Sequence, residues 1–237
     1  MDTHPVIRGR RARILGPRNP QAAILADPAP NRTGGPLPAA IDDEIDAATV
    51  GLGPPEVAPT VASIRQLTRS FVFADVCGFT SYCEQHGDLA AIEVLNRFRS
   101  VARAIAARRG VRVAKWLGDG VMMVSIRPGA AVAAGAELVG RMHGSPIQIR
   151  VGVAGGPVLL FEGDDYIGRP VNVASRLCDA AAPGEILASG HGDQLPDWVS
   201  VGGTVTARID GLGDLPGVQQ LTVVPDVIEA LRPSTAA

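Results

Sequence analysis

The sequence predicts an α+β domain, and three observations carry the prediction. An apolar run at Ser70–Val76 reads as a buried strand, two later stretches repeat apolar residues at helical spacing, and a Gly-Asp-Gly turn separates two further apolar runs. In chain order these give strand, helix, hairpin, helix, strand. That is the βαββαβ order of a ferredoxin-like core, with extra strands appended at its C-terminal side.

Each element has a local reason. Ser70–Val76 (SFVFADV) is rich in Val and Phe and carries a single carboxylate near its end. Asp88 is placed to cap a helix over Leu89–Arg109, with Ile92, Leu95, Phe98, Val101, Ala102 and Ile105 as its apolar stripe. Val111–Leu117 and Val121–Ile126 flank Gly118-Asp119-Gly120 and read as a β-hairpin, with Met122 and Met123 as core residues. A second helix is expected at Ala130–Met142 and a strand at Ile147–Ala154. Gly168–Ala181 suits a third helix, ended by Pro183-Gly184, and short strands are expected at 186–188, 204–209 and 219–224.

The flanks read differently. Residues 1–64 carry prolines every few positions, which leaves no room for a packed element, so a largely disordered or linker extension is expected. Within it, the basic residues at 8–13 read as a solvated tail, and AIDDEIDAA at 40–48 could form an acidic helical turn. Residues 65–226 form the predicted domain and 227–237 a tail.

Composition removes several function classes. Aromatic residues are only 4% of the chain, so Val, Ala, Leu and Ile must build the core. A formal net charge of −2 provides no basic field for nucleic acid, so any phosphate binding must be local. Three cysteines without CxxC spacing make neither a disulfide framework nor a zinc site. No apolar run reaches the roughly 18–20 residues of a membrane span. Pro17 and Pro20 interrupt the place of a signal-peptide core, and a cytoplasmic protein is expected.

Two carboxylates and one helix face carry the chemistry. Asp75 ends an otherwise apolar strand, a costly place for a charge unless it is paired or bound to a cation. Gly78 permits a tight turn that exposes the Val76 carbonyl, and Asp119 sits at the hairpin tip. If the strands are neighbours, these oxygens converge as hard ligands suited to Mg²⁺ or Mn²⁺. Asn172 and Arg176 lie four residues apart, hence on one helix face, and offer donors to a ribose oxygen and a phosphate. Taken singly, each feature also has an ordinary structural explanation: Gly-Asp-Gly is good turn chemistry, and an Asn/Arg pair is often only solvated.

Together the stretches FADVCGFT, Lys115-x-x-Gly118-Asp119 and Asp165-Tyr166-x-Gly168-x-x-Val171-Asn172-x-Ala174-Ser175-Arg176 resemble the class III adenylate/guanylate cyclase family, over about residues 69–226. The resemblance implies a palm-like cyclase core in which Asp75, Asp119 and the Val76 carbonyl hold two Mg²⁺ or Mn²⁺ ions. It implies that Asn172 positions the ribose and Arg176 stabilises charge around the α-phosphate. Lys115 and Asp165 match the base-selecting pair. Lys can only donate and ionised Asp only accept, which suits N1 and the 6-amino group of adenine and mismatches guanine. ATP is therefore the expected substrate and cyclic AMP with pyrophosphate the expected products. The family builds its sites across a head-to-tail dimer, so a homodimer is expected.

Departures from the family pattern bear on activity. Leu212 stands in Gly211-Leu212-Gly213-Asp214-Leu215 where many members place a phosphate-binding Lys. Glu185 lies near the place of another phosphate-contacting Arg, for which Arg169 offers a loosely aligned substitute. The competing readings are a weakly active or inactive nucleotide-binding, regulatory dimerisation module and a guanylate cyclase. The absence of a GG[DE]EF hairpin disfavours a diguanylate cyclase.

Overall fold

The computed structural model describes residues 6–7, 65–161, 165–191 and 194–224, together with positions 226, 227 and 230. Most of the expected N-terminal extension and C-terminal tail lies outside the described residues. The exception at the N-terminus is a two-residue strand, β1 (Val6–Ile7), in the same compact unit as residues 59–237.

The elements run β2 (Arg65–Val76), α1 (Phe79–Arg109), β3 (Arg112–Leu117), β4 (Gly120–Ser125), α2 (Pro128–Met142) and β5 (Ile149–Phe161). There follow β6 (Asp165–Ile167), α3 (Arg169–Ala180), β7 (Ile186–Ser189), β8 (Val199–Ile209) and β9 (Gly213–Val223). They form one sheet in the order β1-β8-β9-β7-β5-β2-β4-β3, with β6 paired to β5. The βαββαβ core is present, and the C-terminal strands extend the sheet beyond β7.

Strand β2 is central and antiparallel to both β4 and β5. Its side chains alternate between two cores, as the pleat requires. Val72, Ala74 and Val76 pack with Phe98, Ile105, Val132 and Leu138 of α1 and α2. Phe71 packs on the other side with Val173, Ala174 and Leu177 of α3. The helices therefore cover opposite faces of the sheet, α1 with α2 and α3 alone. At Gly152 of β5 a Cβ would lie 2.1 Å from the Ala174 carbonyl oxygen and 2.2 Å from the Cys178 nitrogen. Backbone touches backbone there, which only glycine permits.

Some boundaries differ from expectation. Helix α1 starts at Phe79 rather than Leu89, because Gly78 (φ 70) turns the chain straight from β2 into a first helical segment. Gly87 (φ 80, ψ 166) kinks the helix, and Asp88 opens the second segment rather than the whole element. The buried stripe is Ala91, Val94, Phe98, Ala102, Ile105 and Ala106. Ile92, expected within it, is 52% exposed: it lies one residue, about 100° of helix turn, off that line. Strands β2, β5, β8 and β9 run longer than their apolar runs, because pairing carries polar residues such as Arg65–Thr68 opposite Pro157–Leu160. Met122 and Met123 are buried as expected.

Candidate active site

The end of β2 and the tip of the β3–β4 hairpin meet at one edge of the core. Asp75 pairs in register with Gly120, and the Val76 amide donates to the Asp119 carbonyl at 3.3 Å. The hairpin closes through Gly118 (φ 66) and Asp119, with Leu117 paired to Gly120. Gly120 leaves room for the carboxylate. A Cβ there would sit 3.3 Å from Asp75 Oδ1 and 3.0 Å from the Ala74 carbonyl. The sheet register thus brings the Asp75 carboxylate and the segment bearing Asp119 together, as the sequence motifs require. Arg99 of α1 braces the tip, donating from Nη2 to the Gly118 carbonyl at 3.0 Å while its guanidinium stacks on Trp116.

Sequence reasoning missed Arg150 and Asp179. Arg150 stands opposite Asp75 in the β2–β5 register and donates to Asp75 Oδ2 from Nη2 at 2.7 Å and Nε at 3.1 Å. Its Nη1 donates to the Asp179 carbonyl at 2.8 Å, and Arg176 lies 3.5 Å from Asp179 Oδ2. A chain of alternating charge therefore runs from Asp75 through Arg150 and Asp179 to Arg176. The available signal was a lone charge in the apolar strand IQIRVGVA. Burial alone would lower the Arg150 pKa, but the hydrogen bond and charge of Asp75 outweigh it and hold the group above its ordinary range. Beside this pair, burial pushes the Cys77 thiol up to about 11, with Arg150 opposing and Asp75 adding. Burial likewise raises Cys178, whose Sγ donates to the Arg150 carbonyl at 3.4 Å. Both are neutral thiols, not nucleophiles.

Helix α3 buries Val173, Ala174, Leu177 and Cys178 and presents Asn172 and Arg176 outward. Lys115 of β3 and Asp165 of β6, fifty residues apart, form an ion pair, and their side chains are 44% and 45% exposed. Tyr166 fixes β6 beneath that pair through an edge-on contact with Phe71 and a hydrogen bond from Arg112. The donor and acceptor are thus side by side and open to a ligand.

Residues 63–197, more than half of the chain, match the profile of the adenylate and guanylate cyclase catalytic domain. The chain belongs to this family. It is 40% identical over 129 residues to an uncharacterized protein of Mycobacterium tuberculosis, a match covering 53% of this chain and 34% of that one. It is 34% identical over 117 residues to a Streptomyces coelicolor protein named adenylate cyclase, covering 48% and 30% respectively. The match thus spans about a third of the length of these curated relatives. Among solved structures, the adenylyl cyclase CyaB from P. aeruginosa aligns with a TM-score of 0.58 at 27% identity, covering 67% of this chain and 95% of that one.

Family members generally use divalent metal ions. The donor set here suits one: Asp75 Oδ1 faces the hairpin, and Asp119 and the Val76 backbone oxygen share that edge. Among the described residues no group of three or more His, Cys, Asp or Glu side chains gathers for a metal. Backbone oxygen, water and substrate phosphate must therefore complete any shell, which is the usual habit of Mg²⁺. The two departures noted in the sequence take structural roles. Leu212 packs against the α3-side core, and Glu185 accepts from the Ala182 amide at 2.7 Å and from Gln220 Nε2 at 2.8 Å. Among the described residues, no helix is long and apolar enough to cross a membrane.

Proposed function

We propose that this chain is an adenylate cyclase, converting ATP to 3′,5′-cyclic AMP and pyrophosphate at sites shared across a homodimer. The single observation that carries the reading is the Lys115–Asp165 pair. A lone donor beside a lone acceptor, open to a ligand, matches N1 and the 6-amino group of adenine and is the reverse of what guanine needs. The Streptomyces coelicolor relative, itself named an adenylate cyclase, supports the same reading.

In the proposed reaction the ribose 3′-oxygen attacks the α-phosphorus in line, its proton passes to solvent, and the bond to the β-phosphate oxygen breaks to release pyrophosphate. Asp75, Asp119 and the Val76 carbonyl would hold Mg²⁺ or Mn²⁺, which when bound supplies charge neutralisation for the attacking and leaving oxygens. Lys115 and Asp165 exchange their mutual ion pair for the adenine edge, so the pair loses little on opening at a half-exposed site. Asn172 fixes the ribose, and Arg176 presents its planar fork to the α-phosphoryl oxygens. Asp179, one helix turn beyond, steadies Arg176 and Arg150 together.

The test is direct. Purified protein is incubated with ATP or GTP and Mn²⁺ or Mg²⁺, with Asp75→Ala as control, and cyclic nucleotides are quantified. Cyclic AMP from the unaltered chain alone supports the reading. No product from either nucleotide refutes it, and cyclic GMP alone refutes the base assignment. Mixing inactive Asp75→Ala with inactive Arg176→Ala restores activity if sites are shared between chains. No recovery with heterodimers present refutes sharing.

A further inference from the structure

The end of α1 and the start of α2 flank an open cleft of about 570 Å³, closed on its third side by the loop at Gln194–Pro196. Arg108, Arg109 and Arg127 line it, and among the described residues no carboxylate does. Beneath it lies Glu137, wholly buried in α2. This carboxylate takes Arg109 Nε at 2.9 Å, Arg141 Nε at 2.7 Å and an ion pair with Arg108. Arg127 donates from Nη2 to the Arg109 carbonyl at 3.0 Å. Three guanidiniums therefore share one carboxylate, and a fourth, that of Arg127, is held on the adjoining backbone.

This is not an ordinary solvated face. Arg109 is held by Glu137 on one side and lies over the Trp198 ring at 5.1 Å. Burial, then the charges of Arg108 and Arg141, pull its pKa down, as expected where positive charges are forced together. Each guanidinium carries five N–H donors, and the bonds just described use one each on Arg108, Arg109 and Arg127. The remaining donors and the excess positive charge face a concavity, a form that concentrates anions. Gly129, in the first turn of α2, sits so close to the loop that a Cβ would lie 3.2 Å from the Gln194 carbonyl. It keeps the start of α2 against the loop that closes the cleft.

We propose that this cleft binds a small multivalent anion of the phosphate-ester or polyphosphate class, at a second site distinct from the nucleotide site. The volume falls within the range of small-molecule sites, and three separated forks exceed what one monovalent anion can engage. None of the lining residues comes from the end of β2, the hairpin tip or α3, so the site does not depend on the proposed reaction.

Inorganic tripolyphosphate in excess EDTA is the probe, titrated calorimetrically into the full chain. Three proteins are compared: unaltered, Arg108→Gln with Arg127→Gln, and Arg176→Ala. The double substitution leaves Arg109 and Arg141 in place to satisfy Glu137. The expected result is equal binding by the unaltered chain and Arg176→Ala, and a loss of about tenfold or more in the double variant, the effect of about one charge-assisted contact. Should the double variant lose native circular dichroism, Arg127→Gln alone carries the test, because its guanidinium supports only a backbone carbonyl; a loss of about threefold is then expected. The proposal is overturned by no binding to the unaltered chain, by undiminished binding to the variant, or by loss of binding in Arg176→Ala.

Discussion

His191 makes stability depend on pH in a defined window. It follows β7, is 3% exposed, and lies near Gly155, where a Cβ would be 3.6 Å from its Nε2. Among the described residues, neither ring nitrogen has a side-chain partner in hydrogen-bond geometry. Burial lowers its pKa from 6.5 to about 4, and the nearby Ser189 backbone only softens the effect. The folded chain thus holds a neutral ring that the unfolded chain protonates more readily, so stability is full above pH 6.5 and is lost as pH falls toward 4. At about 1.4 kcal/mol per pKa unit, the loss reaches about 2 kcal/mol by pH 5 and about 3 kcal/mol near pH 4. The assay is urea unfolding at pH 7.5, 6 and 5, comparing the unaltered chain with His191→Phe, a non-titrating ring of similar shape. Subtracting the two removes every other titrating group, and the difference should shrink in the variant's favour by about 2 kcal/mol between pH 7.5 and 5. A pH-independent difference between the two proteins would refute the reasoning.

Three other outcomes are expected. Lys115→Glu combined with Asp165→Asn exchanges donor and acceptor, so the ratio of ATP to GTP turnover should fall by about 10–100-fold, each mismatched contact being worth about 1–3 kcal/mol; an unchanged ratio speaks against base selection by this pair. Glu137→Gln leaves three guanidiniums without their shared anion and should cost about 3 kcal/mol in chemical unfolding, toward the low end for broken buried pairs because the arginines still touch water. A cost under about 1 kcal/mol would show that the carboxylate is not holding them. Arg99→Met releases the Gly118 carbonyl and removes one guanidinium from Trp116 while Arg103 still covers that ring, so kcat should drop about tenfold with KM for ATP little changed and the melting temperature nearly constant. Equal changes in kcat and stability would mark Arg99 as merely structural.

The motif residues were legible because their chemistry is local or carried by short spacings. Asp75 ends an apolar strand, Asp119 caps a two-residue turn, and Asn172 and Arg176 share a helix face, so each announces itself within a few positions. The Lys115–Asp165 pairing came through the family pattern rather than through spacing. Arg150 did not show itself. Its partner lies seventy-five residues away, and only the β2–β5 register sets them opposite. The same limit explains Glu137, which reads as an ordinary helix charge until α1 brings Arg108 and Arg109 over it. Element ends moved for a related reason: hydrogen bonding extends β2 and β5 through residues whose side chains give no apolar signal. Residue size misled at Ile92, where the smaller Ala91 faces the core instead.

The contact at Gly152 restricts how the site can adjust. With the Ala174 carbonyl and the Cys178 amide pressed directly on β5, α3 has no side-chain cushion on which to slide or roll. Asn172 and Arg176 are in effect riveted to the sheet that carries Asp75. Under the proposed function, any closing motion that brings Asn172 and Arg176 onto a nucleotide must then be borne by the hairpin tip, or by one whole subunit turning against another. Even a single methyl at Gly152 would pry the helix off the strand, so that position should be as intolerant of change as the acidic residues themselves.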